Sequence, residues 1–416
     1  MKTIKSVAVI GLGYIGLPTA TILATNGLQV TGVDVNVNTI AAVNRGEVPF
    51  VEPDLAEYLE KAVSAGSLTA STETPVADAY IIAVPTPFNS DKSADLSYIE
   101  AAAKGIAPQL QGGELLILES TSPPGATKRM GEVIESLRPD LSYGDDEGSV
   151  LLAHCPERVL PGRIMVELVT NDRIVGGTTR AAAERAKELY SSFCQGDIHL
   201  TDATTAEMAK LVENSYRDVN IAFANELSVI SEKLDINVWE LIRLANYHPR
   251  VNILQPGPGV GGHCIAVDPW FIVSAVPEEA QMIRTARMVN DAKPDYVVKR
   301  VVDAVKASGA TSIAALGLAF KANIDDLRES PAVGIVKTIG ERLPEVSIKV
   351  VEPHVNSLPS ALGQANLALT SLEEAVNGSQ VLLLLVDHDA FRVLDGMDLS
   401  TLDVIDTKGM LEASKA

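Results

Sequence analysis

The stretch Val7-Ala8-Val9-Ile10-Gly11-Leu12-Gly13-Tyr14-Ile15-Gly16-Leu17-Pro18 decides how the rest of the chain is read. Residues 7–10 are aliphatic and make a short buried strand; the glycine triplet then opens a helix predicted to run to about Ala24. A second strand, residues 29–33, ends at Asp34. In such a strand–turn–helix–strand unit Gly11 permits the tight turn, Gly13 lets backbone approach a pyrophosphate, and Gly16 lets the helix pack close to the strand. The pyrophosphate rests on the helix N-terminus, whose unpaired N–H groups favour negative charge. Asp34 is positioned to accept ribose hydroxyls and to repel a 2′-phosphate, so the expected cofactor is NAD rather than NADP. A glycine-rich turn that binds nothing carries the same triplet. The strand before it, the helix after it and the acid closing the next strand are what favour a dinucleotide.

Working outward, residues 79–84 and 115–119 read as further strands, each followed by a turn rich in Pro, Ser and Thr. Residues 139–148 form a polar loop without an evident anchor. From Thr204 to about Ala245 the chain reads helical almost throughout, as does the stretch from Gln281 to Lys306. Between them residues 246–262 hold three prolines and four glycines and read as a loop. A third region begins near Thr311, with strands at 313–318, 348–351 and 381–386, the second ending at Glu352. Its order repeats that of the first region, which fits either a distant duplication or the general likeness of α/β domains. The expected class is α/β, with two Rossmann-like doubly wound parallel-sheet domains joined by a long central helical region. The expected boundaries are a dinucleotide domain at 1–200, a helical region at 201–306 and a second α/β domain at 307–416.

Bulk properties narrow the function. The chain has 416 residues, 46% hydrophobic and 21% charged, enough for several packed cores. Its formal charge of −20 argues against nucleic-acid or anionic-membrane partners. An anionic ligand then needs local help from helix N-termini and a few placed cations. Residues 6–33 carry no Asp, Glu, Lys or Arg and are long enough to span a bilayer, but Gly11, Gly13, Gly16, Pro18, Asn26 and Gly27 break the run. No secretory cleavage pattern is evident, and three cysteines make no disulfide framework. A cytoplasmic protein is therefore expected.

Cys264 follows Gly257-Pro-Gly-Val-Gly-Gly-His263 and precedes Ile265-Ala-Val-Asp268. Composition alone leaves it open between a nucleophile and a structural thiol. No second Cys or His lies at a zinc-ligand spacing, so no metal is expected. Glu157 and Arg158 form a charged pair after an apolar strand, and Lys210 and Asn214 sit one turn apart on a helix. Lys321, Asp325, Asp326, Arg328 and Glu329 crowd a loop at a strand's carboxyl end. Taken singly, each of these reads as solvated surface charge. Asp387-His388-Asp389 reads as a polar strand end rather than a metal site.

Taken together the motifs are informative. Gly-Leu-Gly-Tyr-Ile-Gly-Leu-Pro (11–18), Glu-Ser-Thr-Ser-Pro-Pro-Gly (119–125), the Pro-Glu-Arg segment (156–158), the Lys210/Asn214 helix, Gly-Gly-His-Cys (261–264) and Gly-Leu-Ala-Phe-Lys-Ala-Asn-Ile-Asp-Asp-Leu-Arg-Glu-Ser-Pro (317–331) resemble the UDP-glucose/GDP-mannose dehydrogenase family, in order and over nearly the whole chain. Within it, residues 248–273 and 385–388 are most similar to members acting on UDP-N-acetyl-D-mannosamine, with the N-acetylglucosamine epimer the nearest rival substrate. A catalytically silent nucleotide-sugar-binding protein is the rival of a different kind.

The resemblance implies NAD held by Gly11, Gly13, Tyr14, Ile15, Gly16, Asp34, Pro85, Thr86, Thr121 and Arg328. It implies Cys264 as nucleophile, assisted by Lys210 and Asp268, with Glu157 near the hydrolytic water and Thr121 near the reacting carbon. The UDP-linked amino sugar is expected to meet Glu157, Arg158, Lys210, Asn214, Gly261 and Lys321, and Arg250 from a neighbouring subunit of a homodimer or larger assembly. Against the UDP-glucose branch, His263 replaces Ser, Ala266-Val267 replace Gln-Lys, Pro161 replaces a second Glu and Lys408 replaces Arg. These differences count against UDP-glucose as substrate and leave the cysteine chemistry intact.

Overall fold

The computed structural model describes residues 3–160, 162–262 and 264–411, so the substitutions at Pro161 and His263 lie outside the described residues. The chain divides into two compact units, Met1–Glu213 with Ser274–Val276, and Asn214–Val273 with Pro277–Ala416.

The first unit is built on eight strands: β1 (Ser6–Ile10), β2 (Gln29–Val33), β3 (Leu68–Ser71), β4 (Ala79–Ile82), β5 (Leu115–Leu118), β6 (Leu151–His154), β7 (Arg173–Gly177) and β8 (Ile198–Asp202). Their order is β3-β2-β1-β4-β5-β6-β7-β8. The first six are parallel and follow the doubly wound dinucleotide order, whose direction reverses between β1 and β4. β7 joins β6 antiparallel and β8 joins β7 parallel, an extension the sequence pattern does not announce. β4, β5 and β6 are buried at every position, Tyr80 and His154 included, as central strands are when helices cover both sheet faces. Each fully buried Leu or Ile there contributes roughly 1.5–3 kcal/mol by leaving water. The loop at 139–148 is tethered after all: Arg138 Nη1 donates to the carbonyls of Ala107 and Leu110, and the Tyr143 hydroxyl donates to the Arg138 carbonyl.

The second unit carries a five-stranded parallel sheet, β9 (Ser312–Leu316), β10 (Ser347–Val351), β11 (Leu367–Leu369), β12 (Val381–Leu384) and β13 (Asp403–Asp406), in the order β11-β10-β9-β12-β13. This repeats the order of β3-β2-β1-β4-β5, and the likeness extends to atoms. Gly11 at φ +95 donates its N–H to Val33 O at 2.7 Å; Gly317 at φ +91 donates to Val351 O at 2.8 Å. The Leu12 N–H donates to Asp34 at 2.8 Å, and the Leu318 N–H to Glu352 at 2.7 Å. In both, a positive-φ glycine turns the chain and the acid closing the second strand fastens the turn.

The near-continuous helix expected over 204–245 is broken. One helix spans Ala203–Lys233, the chain turns at Asp235 with φ +56, and a second spans Val238–Ala245. The break is encoded locally: the Asn237 side chain accepts N–H bonds from Trp239 and Glu240, capping the second helix. Helix Gln281–Ser308 runs the length expected and closes at Gly309 with φ +70.

Candidate active site

The residues expected to meet the cofactor lie where β1, β2, β4 and β5 of the first unit finish. A Cβ at Gly16 would fall 1.8 Å from Gly11 O, so helix and turn meet there with no room for a side chain. At Gly13 nothing lies within 4 Å of the same position, leaving backbone open to a ligand. Gly13 and Tyr14 are exposed, Ile15 is half-buried, and Tyr14 stacks on Phe50 with ring centroids 4.2 Å apart. Asp34 accepts the N–H groups of Leu12 and Asn36, each at 2.8 Å, and is only half-buried. After β4, Pro85 is exposed and the buried Thr86 hydroxyl has no hydrogen-bond partner. After β5, Ser120 donates to Val84 O at 2.7 Å and leaves half-buried Thr121 between two fixed neighbours. An open glycine backbone, an acid with lone pairs to spare and an unpaired hydroxyl on one sheet edge fit NAD.

Glu157 corrects the surface reading. Its side chain is 8% exposed, with Oε2 3.2 Å from Nη1 of Arg173, whose side chain is 5% exposed. A helix-free turn after β6 carries it inward because Arg173, opening β7, offers a buried positive charge. Arg158 points the other way, donating to Glu213 at 2.7 Å and to Asp172 O at 2.5 Å. Behind this pair Cys155 is wholly buried, and burial pushes its thiol up to about 12, so it stays protonated and unreactive. Lys210 is half-buried on the long helix, three residues beyond Glu207. The Glu207 carboxylate accepts the N–H groups of Gly125 and Thr127 and so fastens the turn that follows Thr121.

In the second unit Cys264 is exposed, unlike Cys155. Its carbonyl accepts the N–H of Asp268 at 2.9 Å, where the helix Asp268–Ala275 begins. Asp268 is 3% exposed and accepts the Asn214 side-chain amide at 2.5 Å, so Asn214 too is buried rather than solvated. The glycine loop before Cys264 is held from two sides. Gly257 N–H donates to Asn225 Oδ1 at 2.9 Å, and a Cβ at Gly261 would come within 3.0 Å of Pro331, Glu329 O and Phe320. Gly261 therefore sits directly on the loop that carries Lys321.

Lys321 is exposed. Arg328 is exposed and paired in bidentate fashion with Asp326, at 2.9 and 2.7 Å. Arg250 is exposed. Lys408 lies 3.2 Å from Asp387.

That loop has a support sequence reasoning missed. His388 is wholly buried; its Nδ1 accepts the Asn323 N–H at 2.9 Å, which leaves the ring proton on Nε2, 3.1 Å from Glu352. Glu352, His354 and His388 gather their ligand atoms within 4.8 Å of one another, but both His388 nitrogens are already committed within the protein. Asp218 and Arg287 were missed as well. They form a fully buried ion pair, and Asn290 donates to the same Asp218 carboxylate at 2.8 Å and to its carbonyl at 2.9 Å.

Residues 5–194 match the NAD binding domain of the UDP-glucose/GDP-mannose dehydrogenase family, 204–292 its central domain and 314–413 its UDP binding domain. The chain belongs to this family and is an NAD-dependent nucleotide-sugar dehydrogenase. It is 55% identical to an NDP-N-acetyl-D-galactosaminuronic acid dehydrogenase of Ralstonia nicotianae, over 99% of this chain and 97% of that one. It is 54% identical to the UDP-N-acetyl-D-mannosamine dehydrogenase of Escherichia coli, over 97% of this chain and 99% of that one. The solved UDP-N-acetyl-mannosamine dehydrogenase of Staphylococcus aureus superposes with a TM-score of 0.85 at 42% identity, covering 98% and 96% of the two chains. Among the described residues no helix is long and apolar enough to cross a membrane.

Proposed function

We propose that the chain oxidises the C6 alcohol of UDP-N-acetyl-D-mannosamine to the carboxylate, at the expense of two NAD. The observation that carries this reading is the exposed Cys264, at the end of a glycine loop seated against the Lys321 loop and beside the buried Asn214–Asp268 pair. Bound NAD supplies the hydride acceptor. The remaining work falls to side chains. Lys210 faces the O6 oxygen and stabilises negative charge as it develops there. Sγ of Cys264 adds to the aldehyde left by the first hydride transfer, forming a C–S bond as the thiol proton passes to O6; the thiohemiacetal then gives up a hydride to the second NAD and its O6 proton to solvent, which leaves a thioester. Water then adds to the acyl carbon, its proton passing to Glu157, the C–S bond breaks, and the cysteine thiolate leaves. Asn214 and Thr121 hold the sugar and the reacting carbon. The UDP group, gripped by the second unit through Lys321, contributes binding energy remote from C6 that keeps it in place through both oxidations. Arg158 and Gly261 border the sugar, and Arg328 meets the cofactor.

We further assign a cytoplasmic homodimer or larger homo-oligomer, paired through the central helices, in which Arg250 of one copy serves the sugar of another. The expected domain limits are 1–200, 201–306 and 307–416. A galacto-configured substrate is the second reading, favoured by the Ralstonia relative. The test is NADH formation over a panel of UDP-sugars. The reading predicts about two NADH per UDP-N-acetylmannosamine consumed, with uronate as product. A higher kcat/KM for the galacto or gluco epimer would move the assignment to that sugar. A plateau at one NADH with free aldehyde would remove the covalent route.

A further inference from the structure

Inside the first unit two carboxyls share one guanidinium. Arg173, at the start of β7, sets Nη1 3.2 Å from Glu157 Oε2 and 4.0 Å from Glu119 Oε1. Five elements close the pocket. Glu119 follows β5 and accepts the Tyr190 hydroxyl at 3.1 Å and the Thr19 hydroxyl at 3.2 Å. Cys155 follows β6, with Sγ 3.7 Å from Nη1. Tyr190 and Phe193 lie under the guanidinium, with ring centroids 4.7 and 5.2 Å from its carbon. Nη2 donates to Leu168 O at 3.3 Å. A cation so enclosed cannot swing away, so what it faces is fixed. Glu157 Oε1 accepts the Arg158 N–H at 2.6 Å, whereas buried Oε2 has no aligned hydrogen-bond donor. Oε2 is thus sealed from solvent and pinned in a rigid ion pair, which fixes the plane in which the Glu157 carboxylate is presented.

We propose that Arg173 is a positioning residue that aims Glu157 at the water releasing the acid product, and that Glu119 competes with Glu157 for the same guanidinium. This rests on the assignment of thioester hydrolysis to Glu157. The competition has a pH at which it begins. Burial, with Glu157 nearby, pushes Glu119 up to about 8 against the pull of Arg173. Below that, Glu119 is neutral and the guanidinium charge serves Glu157 alone; above it, a second carboxylate shares the fixed charge and weakens its attraction for Glu157.

The experiment is pre-steady-state NADH formation with UDP-N-acetylmannosamine, combined with mass analysis of the quenched enzyme. Arg173→Lys is expected to give a burst of about two NADH per site, then turnover slowed on the order of 10- to 100-fold, with an acyl adduct on Cys264 and an unchanged KM for the sugar. Glu119→Gln is expected to behave as wild type at pH 7 and to hold its hydrolysis rate above pH 8, where the wild-type rate declines. Glu157→Gln is the control. If Glu157→Gln hydrolyses the thioester at the wild-type rate, the parent assignment fails. If Glu157→Gln accumulates adduct but Arg173→Lys slows burst and turnover alike, this inference alone fails. Should Arg173→Lys not fold, the Glu119→Gln profile decides: superposition on wild type above pH 8 overturns the proposal.

Discussion

Asn214 donates its side-chain amide to the Asp268 carboxylate at 2.5 Å, and both side chains are buried. The bond joins the long helix to the first turn of the helix that follows Cys264. Asn214→Ala removes a donor from a buried carboxylate and is expected to cost about 1–3 kcal/mol of stability. Asn214→Asp puts two carboxylates together, so one must hold a proton in the folded protein. A raised folded pKa gives stability that is present in acid and lost as pH rises. Urea midpoints across mildly acidic to neutral pH should fall for Asn214→Asp more steeply than for wild type; parallel curves would contradict the pairing.

Cys264 and Cys155 make opposite predictions. Iodoacetamide at neutral pH should modify exposed Cys264 first and abolish turnover, while buried Cys155 resists until the protein unfolds. Cys264→Ser should lower steady-state NADH formation by several orders of magnitude, on the scale of losing a covalent nucleophile, with UDP-sugar affinity little changed. Near wild-type acid formation by the serine variant would return Cys264 to the role of a simple thiol.

Asp34, proposed as the ribose reader, also holds its own turn. Because it already accepts the Leu12 and Asn36 N–H groups, Asp34→Ala should raise KM for NAD by loosening the turn, beyond the loss of ribose contacts. The preference for NAD over NADP, taken as the ratio of kcat/KM values, should drop on the order of 10-fold or more as repulsion of the 2′-phosphate disappears. A wild type that used both cofactors equally would refute this role for Asp34.

Lys293 supplies a pH-dependent stability term. Burial, with Arg300 nearby, lowers its pKa to about 8, and Glu232 opposes the shift. Its ammonium donates to Ser228 at 2.5 Å and lies over the Tyr296 ring. Below pH 8 the folded protein bears the cost of a buried ammonium. Between about 8 and the unfolded value of about 10.4 the folded state binds fewer protons than the unfolded one, so stability from this residue rises with pH. Lys293→Met should therefore raise Tm at pH 7, with the gap narrowing toward pH 10. A constant gap would place the effect in packing alone.

Both Rossmann frames were legible because unbroken aliphatic runs, a turn glycine and a closing acid are local signals. Of the candidate site, Cys264, Lys321 and the tip of the glycine turn at Gly13 and Tyr14 are exposed, in keeping with their sequence context. What escaped was whatever depends on a distant partner. Glu157 reads as a surface charge until Arg173 is seen beside it, and nothing within either segment announces the other. His388 reads as a strand-end polar residue until Asn323 and Glu352 are brought to its two nitrogens. The helix break at Asp235 was a different failure: its Asn237 cap was visible, but apolar periodicity on either side outweighed it.

The two frames share a lock but differ in what the lock leaves over. Asp34 is half-buried, and each of its carboxylate oxygens accepts a single backbone N–H. Glu352 is 4% exposed and its Oε2 accepts two backbone N–H groups besides facing His388. The same turn thus carries an open acid in the first unit and a saturated one in the second, and a single histidine accounts for much of the difference. His388→Ala would free one acceptor position on Glu352. Two α/β frames with the same turn can therefore differ in what they offer a ligand without differing in backbone; occupying one carboxylate is enough.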